Sequence, residues 1–108
     1  SLAAKGSELG SGAAYAASKG AIASLTFSLA RDLAASGVTV NAVSAGCVKT
    51  SGMEQMNDAQ RRQLLTQIPV GRFCEPEEFA HAVRFLVSPL SGFITGEILD
   101  VNGGMLIH

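Results

Sequence analysis

The run AAYAASKGAIASLTFSLARDLAAS, Ala13 to Ser36, meets Gly37 and passes at once into VTVNAV, Val38 to Val43. No other junction in the chain constrains the fold as much. Alanine, leucine, lysine and arginine favour helix, and Ile22, Leu25, Leu29 and Leu33 recur at three- and four-residue steps. That spacing predicts one long helix with an apolar stripe. A second face carries the small residues Ala13, Ala17, Gly20, Ala21, Ser24 and Ser28, where another helix can approach closely. Arg31 suits the negative pole of the helix, and Gly37 supplies a left-handed stop. The β-branched residues that follow predict a buried strand, with Asn41 a polar exception satisfied by neighbouring loops. Helix, one-glycine turn and short apolar strand make half of a parallel βαβ unit, so the expected class is α/β.

Within the helix, Tyr15 and Lys19 are one turn apart. Residues four apart share a face, so the phenol and the ammonium can point into the same space. Left alone, their pKa values are about 10 and about 10.4. A nearby positive charge favours phenolate over phenol and moves the tyrosine towards a working proton donor. The pair alone is weak evidence, because a half-buried aromatic beside a solvated amine gives the same spacing.

Before the helix, Ser1 to Gly12 (SLAAKGSELGSG) reads as a loop, with Ser11 available to cap the helix start. After the strand, Ser44 to Gly52 (SAGCVKTSG) forms a loop at a strand's carboxyl end, where ligands bind in open α/β sheets. Met53 to Gln67 is polar and helix-favouring, with Met56, Leu64 and Leu65 its thin apolar share, and reads as a poorly buried helix or a mobile segment over the site, in the manner of a lid. Glu75-Pro76-Glu77-Glu78 places proline and acids in a first turn. Phe79, Ala82, Val83 and Leu86 make that helix's stripe, which Ser88-Pro89 ends. His81 lies off the stripe, without a second ligand nearby. Gly96 precedes a second strand, Glu97 to Val101, and the chain leaves through Asn102-Gly103-Gly104.

Composition narrows the function classes. With 108 residues the chain suits one small domain, and 47% hydrophobic against 16% charged residues excludes disorder. Net charge is −1 with both signs scattered, which argues against nucleic acid or a lipid surface as partner. Cys47 and Cys74 lack metal-ligand spacing, and two reduced thiols are favoured over a disulfide. No metal site is expected. No apolar run approaches the ~20 residues that span a bilayer, and nothing resembles a signal peptide; the expected compartment is the cytoplasm.

Tyr15-x-x-x-Lys19 within YAASKGA, then VNAVSAGCVKT, IPVGRFCEPEEFA and FITGEILDVNGGM, occur in that order. Together they resemble the carboxyl-terminal half of a short-chain dehydrogenase/reductase, nearest the 3-oxoacyl-carrier-protein reductase-like members. The resemblance implies the C-terminal part of a doubly wound parallel-sheet (Rossmann) fold. It implies an NAD- or NADP-dependent oxidoreductase that interconverts a ketone and a secondary alcohol. Tyr15 would be the general acid or base, and Lys19 would tune it and bind the nicotinamide ribose. Ser1 would steady the substrate oxygen, although its separation from Tyr15 is one residue longer than the family's; Ser7 and Ser11 compete for that role. Gly46, Val48 and Thr50 match the loop that holds the nicotinamide amide, with Ala45 standing where the family has proline. A homodimer or homotetramer acting on a small carbonyl or alcohol is implied.

The family's phosphate-binding glycine turn and catalytic asparagine belong upstream and find no counterpart in these residues. A sheet of two interior strands cannot cover its own faces, so the chain alone is expected to be unstable or to recruit a partner across the Ala13–Ser28 face and the final strand. The alternative is a non-catalytic association module. A hydrolase using Ser1 or Ser11 with His81 lacks a glycine-flanked nucleophile turn and an orienting acid.

Overall fold

A computed structural model describes residues 1–5 and 12–108; Ser7 and Ser11 lie outside the described residues. The order of elements is a 3-10 turn (Leu2–Lys5), α1 (Ala13–Leu33), β1 (Ala42–Ala45), α2 (Asp58–Leu65), α3 (Pro76–Leu86) and β2 (Ile98–Val101), with further 3-10 turns at Ala34–Ser36, Ser51–Gln55 and Pro89–Ser91. The two strands pair in parallel, Ala42 with Ile98 through Ala45 with Val101. This is an α/β arrangement in which α2, α3 and their loops form the crossover.

The long helix stands where its composition predicts, and Gly37 ends it in the left-handed region at φ 76°. Its buried face does not follow the predicted stripe. Thr26 and Ala30 are buried, whereas Ile22, Leu25 and Leu29 are exposed, with Leu25 at 56%. Small side chains let the helix come close: a Cβ on Gly96 would lie 3.5 Å from Ala30 Cβ. The predicted small face is also uncovered among the described residues, and a Cβ at Gly20 would meet nothing within 4 Å. Thr26 is tolerated inside because its hydroxyl donates to Ile22 O at 2.8 Å. Gly12 stands at the cap position, without a side-chain cap bond.

Three further expectations are corrected. The opening segment is not simply loop: Leu2–Lys5 makes a 3-10 turn whose Leu2 and Ala3 are buried. The first strand begins at Ala42, not Val38, because Val38 to Asn41 run beside a turn rather than beside β2. There the contacts are Gly96 N to Val40 O and Val40 N to the Thr95 hydroxyl. Asn41 fits its expected role, donating to Ile94 O and accepting from Glu97 N, each at 2.9 Å. The Met53–Gln67 segment is not one helix. It divides at Asn57, whose side chain and Gln60 form a reciprocal capping box that starts α2 afresh.

The acidic first turn behaves as composition predicts. Glu75 caps α3, Pro76 occupies its first turn, and Glu78 closes the capping box. Arg72 adds a two-pronged grip on Glu78, both nitrogen–oxygen distances being 2.7 Å. That guanidinium, with the Glu75 backbone N–H, holds the Glu78 carboxyl down at about 2. The core is thin: Leu2, Ala3, Ala30, Ile68, Phe73, Ala82 and Leu86.

Candidate active site

Tyr15 and Lys19 sit in the first turns of α1, and the Lys19 ammonium lies over the Tyr15 ring, 5.4 Å from its centre. The two side chains therefore share a face, and the tyrosine is 45% exposed, open to a reactant. The contact is a cation over an aromatic face, an attraction of the kind worth about 0.5–1 kcal/mol at exposed sites. It keeps the ammonium beside the phenol without occupying the hydroxyl.

Ser1 is fixed by the turn it opens. Its hydroxyl accepts the Ala3 N–H at 3.2 Å, and its carbonyl accepts the Ala4 N–H at 3.1 Å. A cavity of about 170 Å³ lies between this turn, α1 and β1, lined by Ser1, Lys19, Ala23, Val43 and Ser44 among others. The structure thus brings Ser1 and Lys19 to one space; Tyr15 touches Lys19 but does not line that cavity.

Gly46, Val48 and Thr50 continue beyond β1 and do not line this cavity. Gly46 has a reason for being glycine: a Cβ there would stand 2.9 Å from Asn102 Cα, where β2 ends. Its N–H donates to Val101 O at 2.9 Å, extending the ladder by one bond. Val48 bridges Cys74 in parallel, and Lys49 pairs with Glu75, so this segment is held against the start of α3. Thr50 is exposed and precedes the Ser51–Gln55 turn in extended conformation. Cys47 and Cys74 form no disulfide, and burial pushes the Cys74 thiol up. His81 is exposed. Among the described residues there is no cluster of three metal-ligating side chains, and no helix is long and apolar enough to cross a membrane.

Sequence reading passed over two groups beside the site. Ser44 is 2% exposed, lines the cavity, and its hydroxyl has no hydrogen-bond partner among the described residues. Asp100, its register partner on β2, binds Lys5 through one oxygen while its other oxygen is buried without a partner among the described residues. A lone carboxylate inside EILDV was the available signal.

Residues 1–106 match the family model described as Enoyl-(Acyl carrier protein) reductase. Among curated relatives, the 3-oxoacyl-(acyl-carrier-protein) reductase FabG of Vibrio cholerae is 50% identical over 91 residues, covering 84% of this chain and 37% of that protein. The reductase of the same name from Rickettsia bellii is 45% identical over 93 residues, 86% of this chain and 39% of that protein. An uncharacterized oxidoreductase of Bacillus subtilis, YmfI, is 46% identical over 90 residues, 83% of this chain and 37% of that protein. The chain spans well under half the length of these relatives.

Proposed function

The chain belongs to the short-chain dehydrogenase/reductase family, and we propose that it supplies the carboxyl-terminal, substrate-side half of an NAD(P)-dependent oxidoreductase that interconverts a ketone and a secondary alcohol. A 3-oxoacyl-(acyl-carrier-protein) reductase-like reaction is the form we favour, since relatives at 42–50% identity bear that name. The observation that carries the proposal is the stacking of Lys19 on Tyr15, with Ser1 on the cavity that Lys19 lines.

Each residue then has one task. Tyr15 gives its hydroxyl proton to the carbonyl oxygen during reduction and takes it back during oxidation. Lys19 places a positive charge beside the phenol and so favours the phenolate that remains after proton transfer. Ser1, whose oxygen accepts the Ala3 N–H, steadies the substrate oxygen through its hydroxyl in this reading. A neutral donor and a charged partner set at the oxygen before reaction lower the cost of building charge there.

The described residues fit the nicotinamide-ribose end of a dinucleotide by the chemistry of their donor set. The Lys19 ammonium suits ribose hydroxyls, and the exposed Thr50 hydroxyl with the Val48 backbone suits a carboxamide. When bound, that cofactor supplies the hydride. The test is Tyr15→Phe in the whole protein. Carbonyl reduction should fall by about 10²–10⁴-fold, the range for a lost acid–base group, while cofactor affinity stays within twofold. Unchanged turnover would defeat the proton role. A mass of the intact protein near that of the chain, 11.1 kDa, would favour the association module instead.

A further inference from the structure

The Ser1 turn is tied to the sheet at its other end. Lys5, the last residue of that turn, reaches Asp100 on β2, with Nζ 2.7 Å from Oδ2. The side chains are 23% and 17% exposed, so the pair is largely out of water. His108 Nδ1 stands 3.7 Å from the same oxygen, and Oδ1 is buried without a hydrogen-bond partner among the described residues. A carboxylate so placed leans heavily on Lys5, because losing one member of a buried pair leaves a charge uncompensated. Asp100 is paired in register with Ser44, which lines the cavity shared by Ser1 and Lys19. The anchor is therefore one strand away from the cavity wall that Ser44 forms.

We infer that the Lys5–Asp100 ion pair positions Ser1, clamping the Leu2–Lys5 turn to β2 so that the Ser1 hydroxyl is held at the height of Lys19. Ser1 itself is oriented from within by the Ala3 N–H. A 3-10 turn of four residues is too short to hold its own attitude against the sheet. Buried Leu2 and Ala3 fix its depth, and the only ion pair this turn makes among the described residues fixes its rotation. Neither Lys5 nor Asp100 lines the cavity, so both are positioning residues. The inference rests on the catalytic reading of Ser1 and Tyr15.

The test is a double-mutant cycle in the whole protein. Lys5→Met should lower kcat about ten- to a hundredfold, as small misplacements of a reacting group do, with KM and cofactor affinity within twofold. In a Ser1→Ala background the same substitution should cost nothing further, because the group it positions is gone. Exchange of the charges, Lys5→Asp with Asp100→Lys, should recover most of the loss and covers the case in which a single variant folds poorly. Equal losses from Lys5→Met with and without Ser1 would make the pair merely structural and overturn the inference. Wild-type kcat in Lys5→Met would also overturn it. A silent Ser1→Ala removes the premise and the inference together, whereas an active Tyr15→Phe condemns the parent reading itself.

Discussion

Lys19 has two tasks in the proposed site, against the phenol and against the ribose, so its removal should show in two measurements. Lys19→Ala is expected to lower turnover and to weaken cofactor binding together, unlike Tyr15→Phe; titrating cofactor by fluorescence in both variants separates the roles. Normal cofactor affinity in Lys19→Ala would refute the ribose contact. Gly46 yields a prediction of another kind. Its missing Cβ is space taken by the Asn102 backbone, with approaches of 2.9 to 3.2 Å. Gly46→Ala must push β2's end away and should destabilise by about 1–3 kcal/mol, the usual range for overpacking. A thermal melt that leaves the midpoint unmoved would count against that close approach.

The α3 start is an element whose charge can be titrated. The Glu78 carboxyl is held at about 2 by the Arg72 guanidinium first and the Glu75 N–H second. Its folded value is depressed, so its contribution is present in full above the ordinary carboxylate value of 4.5. It fades as pH falls from there through about 2. Glu78→Gln should therefore lower the melting point by a constant amount from neutrality down to about pH 5, and the gap should close as acid is added. A gap that instead widened in acid would contradict the pairing. The same element shows why boundaries inside Met53–Gln67 needed coordinates. Asn57 and Gln60 read as ordinary polar residues in a helix-favouring run, yet their reciprocal bonds make a new helix start.

At the scale of the molecule, too much apolar surface faces outward. Leu90 and Phe93 are fully exposed, and Ile22, Leu25, Phe27, Phe85 and Val87 are at least half exposed. The radius of gyration is 15.3 Å, against about 13 Å for a compact domain of this length. Patches of that kind mark surfaces meant for other protein. Prepared alone, the chain should bind a hydrophobic dye strongly and melt without a sharp transition. Joined to the upstream half proposed above, it should lose the dye signal and melt cooperatively. A sharp melt of the lone chain, without dye binding, would overturn this expectation.

What the order of residues settles by itself is local. A helix closed by Gly37, a β-branched strand ahead of Asn102 and an acid-and-proline helix start follow from propensity and spacing; the four ordered segments carry the family by resemblance only. Each of the local features depends on neighbours a few positions away, and so does the one-turn offset of Tyr15 and Lys19. The tertiary structure decided which helix face is inside: close approach to the Gly96 turn selects Ala30, and the larger Leu25 and Leu29 are turned out. It also decided that Lys5 meets Asp100 across 95 positions, and that Ser44 brings a buried hydroxyl to the cavity. Contacts of that range arise only when the sheet closes, because nothing near Lys5 in the chain distinguishes it from a lysine in water.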